Sequence, residues 1–169
     1  MRKKQTHIVY GLVTVVVMII VGTALMHEGM AFKPGLAEVV NIPFVAGIIL
    51  NAVAFSKAND GYITFGDAFL SCFKATVVIM IVRIAWIPVY GYLFPDIKEK
   101  MFAMFQGKMS ANPAMTDEGI GRIIGFIKNF WGVILVTGTI ITTLFYGAIF
   151  SVIGGAVAKK NVMPVGDNF

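Results

Sequence analysis

The sequence predicts an all-α membrane protein: four transmembrane helices with an amphipathic, interfacial helical segment between the third and the fourth. Three observations predict it. Of the 169 residues, 57% are hydrophobic and only 14% are charged, against roughly a half and a quarter in soluble domains. The apolar residues gather into four runs, about 8–26, 36–55, 66–94 and 130–158, each close to or beyond the roughly 20 helical residues that cross a bilayer. Basic residues sit at the ends of these runs, where topology signals lie, and not along one polar face. The net charge of +5 therefore reads as membrane orientation and excludes a nucleic-acid stripe. The length suits a single integral domain over residues 1–169.

The first run, Ile8 to Met26, follows Met-Arg-Lys-Lys. It is longer than the apolar part of a secretory signal, and no small-x-small cleavage site precedes His27, so a retained signal anchor is expected. Its β-branched core is compatible with a helix, because in lipid every backbone group must bond within its own segment. A turn with the breaker Pro34-Gly35 leads to the second span, which carries Glu38 near its start, Pro43, and Asn51 near its far end. Pro43 lacks a backbone donor and is expected to bend this helix. A hinge there is one reading; simple tolerance of proline in a membrane helix is the preferred one. The polar stretch Ser56 to Gly61, SKANDG, is too short for a domain and predicts a tight antiparallel hairpin.

The third span, ITFGDAFLSCFKATVVIMIVRIAWIPVYGYLFP, holds Asp67, Lys74 and Arg83. Each costs roughly 2.5 to 3.5 kcal/mol inside a bilayer on insertion scales, so each requires a partner, a wet cavity or an escape to the interface. Asp67 and Lys74 share a helical face but stand about 10 Å apart along the axis, too far for a direct ion pair. Two arrangements are open for the lysine and the arginine: pairing inside the protein, or snorkelling to opposite interfaces. Snorkelling is preferred for Lys74, and pairing with Glu38 for Arg83. Trp86, Tyr90 and Tyr92, before Phe94-Pro95, read as an aromatic belt rather than a stacking platform.

Residues 96–129 form the one substantial polar region. Asp96 to Gln106 mixes charges with Met101, Phe102, Met104 and Phe105, a pattern for a short helix lying on the bilayer. Gly107 to Pro113 is expected to break it. Thr116-Asp117-Glu118 is a helix start, and Gly119 to Lys128 is expected to run directly into the last span. The Met/Phe face here suits contacts with a partner protein or the interface. In the fourth span Gly147, Ser151 and Gly155 recur every fourth residue and form a ridge that allows close helix approach, more readily to a helix of the same chain than in a dimer. Thr137, Thr139, Thr142 and Thr143 can bond their own helix backbone. Lys159-Lys160 closes the span.

The hairpin turn SKANDGYITFGDAF, together with the order of parts around it, resembles the bacterial membrane proteins grouped as domain of unknown function 4199, typical of the Bacteroidota. The resemblance covers nearly the whole chain and implies no activity, substrate or catalytic residue.

Reactive constellations are missing from the sequence: there is no Ser/His/Asp set, no HExxH and no phosphate loop between strand and helix, and Gly119, Gly121 and Gly125 lack the preceding strand of a dinucleotide fingerprint. Cys72 has no intrachain cysteine, and only His7 and His27 stand beside it. No disulfide, metal site or cofactor is expected, and no catalysis. Two functions fit. The first is a structural or accessory subunit that binds other membrane proteins or lipids, with a membrane-protein partner or self-association. The alternative is a small oligomeric transporter or channel whose polar path is lined by Asp67, Lys74 and Arg83, with Glu38 and Asn51 as further candidates.

The basic ends Arg2-Lys3-Lys4, Lys57 and Lys159-Lys160 fall on one side of four spans. Lys98, Lys100, Lys108, Arg122 and Lys128 on the other side are diluted by four acids. The positive-inside rule then places both termini in the cytoplasm, in a cell (inner) membrane. A reporter fused after Phe169 should be active only as a cytoplasmic fusion; periplasmic activity would overturn this topology.

Overall fold

Among the described residues the chain runs through six α-helices and a 3₁₀ turn at Ala37–Val40, with no strand. The computed structural model describes residues 3–30, 33 and 37–161. Arg2, the Pro34-Gly35 breaker and the tail to Phe169 lie outside the described residues. Helix α1 spans His7–His27, the 3₁₀ turn Ala37–Val40, α2 Asn41–Ala58, α3 Phe65–Leu93, α4 Pro95–Ser110, α5 Asp117–Asn129 and α6 Trp131–Val157. Four segments are long and apolar enough to cross a membrane: α1, the 3₁₀ turn with α2, α3 and α6. On α1 the side chains of Ile8, Val9, Leu12, Val13, Val16, Val17 and Ile20 are all exposed, a face that suits a lipid surround.

The described residues form two compact units, one within Met1–Arg83 and Thr142–Phe169, the other Ile84–Ile141. In the first unit, the opposite face of α1 (Gly11, Thr14, Val15 and Met18) is buried. It packs into a core with Phe44, Ile48, Ala52 and Phe55 of α2 and Ala68, Cys72, Ala75 and Ile79 of α3. Helix contact in lipid gains little from apolar burial and depends instead on close packing at small residues. Glycines supply it. A Cβ on Gly47 of α2 would strike the Thr14 side chain, and one on Gly11 of α1 would stand 2.9 Å from Val78 Cβ and 3.1 Å from the Ala75 carbonyl.

On α6 the buried face is Thr143, Gly147, Ser151, Gly154 and Gly155. A Cβ on Gly147 would collide with Thr76, one on Gly154 would lie 2.9 Å from Cys72 Sγ, and one on Gly155 would lie 2.9 Å from the Phe65 ring. As α6 advances from 147 to 155, its partners on α3 run back from 76 to 65, so the two helices are antiparallel. The ridge of Gly147, Ser151 and Gly155 faces its own chain.

Several local expectations change. Pro43 does not interrupt α2, because it is the third residue of a helix that begins at Asn41, where the missing N–H has no carbonyl to bond. The irregularity lies one turn earlier, in the 3₁₀ turn Ala37–Val40. Ser56, Lys57 and Ala58 are helical; these polar residues are adequate helix formers, and the chain breaks only where Asp60 (φ 53°) and Gly61 (φ 77°) turn left-handed. There the Gly61 N–H donates to the Ser56 carbonyl at 2.9 Å, which closes the helix end.

In the second unit, α4 continues through Gly107 to Ser110. A lone glycine costs a helix only about 1 kcal/mol, and the stop comes before Pro113, whose ring disfavours helix in the preceding residue. The Thr116 hydroxyl caps α5 by accepting from Gly119 N–H at 3.2 Å. Helix α5 does not run on unbroken: Phe130 forms a one-residue turn before α6. Phe102 meets Trp131 edge-on at 5.0 Å, with Lys98 at 5.8 Å and Lys128 at 5.3 Å over its ring.

Replacing Gly147 with Ala should lower stability by about 1–3 kcal/mol through overpacking. The same change at Gly132, where a Cβ meets nothing within 4 Å, should be neutral or slightly stabilising. Thermal unfolding of both variants in detergent checks the contrast.

Candidate polar site at the hairpin end of the bundle

Polar side chains concentrate where α1 begins, α2 ends and α3 begins. Asn51 is fully buried. Its Oδ1 accepts from the Thr6 hydroxyl at 2.8 Å, and its Nδ2 donates to Ser71 Oγ at 3.2 Å, with Cys72 Sγ at 3.9 Å. Thr6 stands at the N-cap of α1 but makes no capping bond; its hydroxyl is used on Asn51 instead. Cys72 is buried and points its Sγ at the Ile48 carbonyl, 3.5 Å away. Three helices thus share one amide, in surroundings where water does not compete for it.

Asp67 sits at the third position of α3 and forms a reciprocal box with Thr64. Its Oδ2 accepts from Thr64 N–H at 2.8 Å and from the Thr64 hydroxyl at 2.7 Å, while its own N–H donates to Thr64 Oγ1 at 3.1 Å. This is a capping box with aspartate in place of glutamate, and it sets a negative charge at the positive end of the helix. The Lys3 ammonium donates to the same Oδ2. A threonine three residues before an acid at the start of an apolar run carried the signal for the box; nothing in the sequence pointed to Lys3.

The hairpin turn also binds the segment before α1 and the segment after α6. Asn59 accepts from Lys4 N–H at 2.8 Å and donates to the Lys4 carbonyl at 3.2 Å. The Ser56 hydroxyl donates to the Lys159 carbonyl. Asn161 donates its N–H to the Gly61 carbonyl at 2.8 Å and its side-chain amide to the Asp60 carbonyl at 2.7 Å. A Cβ on Gly61 would stand 2.7 Å from Asn161 Nδ2, so the close approach and the positive φ both require glycine here.

The sequence-selected polar residues do not line one path. Arg83 donates from its guanidinium to Thr143 Oγ1 of α6 at 3.0 Å, not to Glu38, which accepts from Asn41 Nδ2 at 2.6 Å. The reason is angular: Arg83 lies seven residues beyond Thr76, on the stripe of α3 that faces α6. Thr143 therefore serves another helix. Asp67 and Lys74 do share a cleft, of about 320 Å³, with Lys3, Gln5, Phe55, Leu70 and Ser71; Arg83 is not part of it. Lys74 is exposed, lies within electrostatic reach of His7, and bonds no acceptor among the described residues. His7 keeps a buried Nδ1 without a partner among them, as does the Ser151 hydroxyl. No group of three or more metal-ligating side chains occurs among the described residues.

A double-mutant cycle of Asn51→Leu and Ser71→Ala should give a coupling of about 0.5–1.5 kcal/mol. Asn51→Leu alone should destabilise by about 1–2 kcal/mol, because Thr6 and Ser71 lose their partner. Thermal or denaturant unfolding in micelles measures both; additive effects would remove the polar junction as a stabilising unit.

A family model described as "Protein of unknown function (DUF4199)" matches residues 8–160. No curated protein and no solved structure matches the chain.

Proposed function

Given that the chain belongs to the DUF4199 family, we propose that it is a non-catalytic structural or accessory protein of the inner membrane, with both termini cytoplasmic, that binds another membrane protein or lipid. The observation that carries this reading is the double apolar face of α5. Ile120 and Ile124 are buried, whereas Ile123, Phe126 and Phe130 on another stripe of the same helix and linker are exposed, Phe126 by 59%. A helix of this kind has one face for its own unit and one left for something else. The bundle's polar groups support the same reading. Asn51 joins helices, Asp67 caps α3, Arg83 bonds α6 and Asn59 holds the N-terminal segment. These residues serve architecture and do not converge on one reacting centre.

Purification from its own membranes in mild detergent, with mass and co-purifying proteins determined together, tests the proposal. A stoichiometric complex is the expected result, and Phe126→Glu should dissociate it without changing the unfolding temperature of the isolated protein. An isolated monomer with no partner under crosslinking would overturn the accessory role.

A further inference from the structure

The cleft beside the capping box of α3 has an unbalanced charge. Asp67, Leu70, Ser71 and Lys74 recur at helical spacing along one face of α3, and Lys3 and Gln5 of the segment before α1 close over them. The carboxylate of Asp67 is committed, since Lys3 and both donors of Thr64 converge on its Oδ2. Lys3 and Asp67 neutralise each other. Among the described residues Lys74 is left as an uncompensated cation about 14 Å along the helix from its start, inside a segment apolar enough to span a membrane. Ser71 accepts from Asn51, so its own hydroxyl proton is free to donate into the cleft. At about 320 Å³ the space lies at the small end of ligand pockets, which run roughly 300–1,000 Å³. Phe55 and Leu70 add apolar wall, and Leu70 is 50% exposed.

We propose that this cleft binds a phosphate oxyanion, held by the Lys74 ammonium and the Ser71 hydroxyl. An ammonium with three donors and a nearby hydroxyl match the acceptor-only oxygens of a phosphate ester. The anion supplies the counter-charge that the described residues do not provide at Lys74. Two sources carry this chemistry: a phospholipid headgroup entering laterally past Leu70, and a free phosphate compound entering along Lys3 and Gln5. The inference rests on the cleft and is independent of the accessory role of α5.

The test measures thermal unfolding of the full chain in mild detergent with three probes: inorganic phosphate against chloride at equal ionic strength, phosphatidylglycerol, and diacylglycerol, which has lipid chains but no phosphate. Phosphate or phosphatidylglycerol should raise the unfolding temperature by about 5 °C at a hundredfold excess over Kd. Lys74→Met should weaken the effective probe about tenfold, and Lys74→Arg should retain it. Should Lys74→Met not fold, Lys74→Gln makes the same comparison. A gain with inorganic phosphate supports a soluble phosphate ligand, and a gain with phosphatidylglycerol alone supports a headgroup. No gain from either probe, an equal gain from diacylglycerol, or an equal gain in Lys74→Met or Lys74→Gln would overturn the proposal.

Discussion

The bundle depends on a single buried amide placed among glycine contacts. In lipid an apolar helix gains almost nothing by exchanging lipid tails for another apolar helix, so helices are chosen by close packing and by the few polar bonds they share. Asn51 supplies such bonds to α1 and α3 at once, through Thr6 and Ser71. Gly11 and Gly47 let the same three helices approach closely. Gly147 and Gly154 bring α6 onto α3 in the same manner. Specificity and proximity therefore come from different residues, the first from one side-chain amide and the second from missing side chains.

The hairpin turn has more to do than reverse the chain. Ser56, Asn59, Asp60 and Gly61 bond the segment before α1 and the segment after α6, so these two segments meet at one turn. A hairpin that only linked two spans would tolerate many polar sequences. One that must present an amide to Lys4, a left-handed glycine to Asn161 and a capping threonine to Asp67 tolerates few, which gives a physical reason for the SKANDGYITFGDAF motif.

Ionisable residues in the spans are managed one by one. Asp67 is held by a cap and a lysine, Arg83 by a threonine on the facing helix, and Lys74 by nothing among the described residues. Outside the bundle, the lysines at 98 and 128 lie over one phenylalanine ring, and so shield an aromatic residue that is itself packed against Trp131. The exposed stripe of α5 has no such cover.

Composition and run length by themselves determined the fold class, the four spans and the α5 start at Thr116, because lipid leaves helices as the only option for long apolar runs and because capping is local chemistry. The ridge of Gly147, Ser151 and Gly155 was legible as a close-approach surface for the same reason: small residues every fourth position mark a face whatever it meets. Which helix of its own chain the ridge meets was not legible, nor was the partner of Arg83, since both depend on the rotation of α3 about its axis. That Pro43 is tolerated was legible, but its place in a first turn was not, because that depends on where the helix begins, and the 3₁₀ turn before Asn41 settles that. The tertiary structure alone decided that Asn51 joins three helices, that Lys3 reaches Asp67 across 64 residues, and that one turn clamps the segments before α1 and after α6. These contacts join residues far apart in sequence, and no local periodicity encodes which of several compatible faces will be brought together.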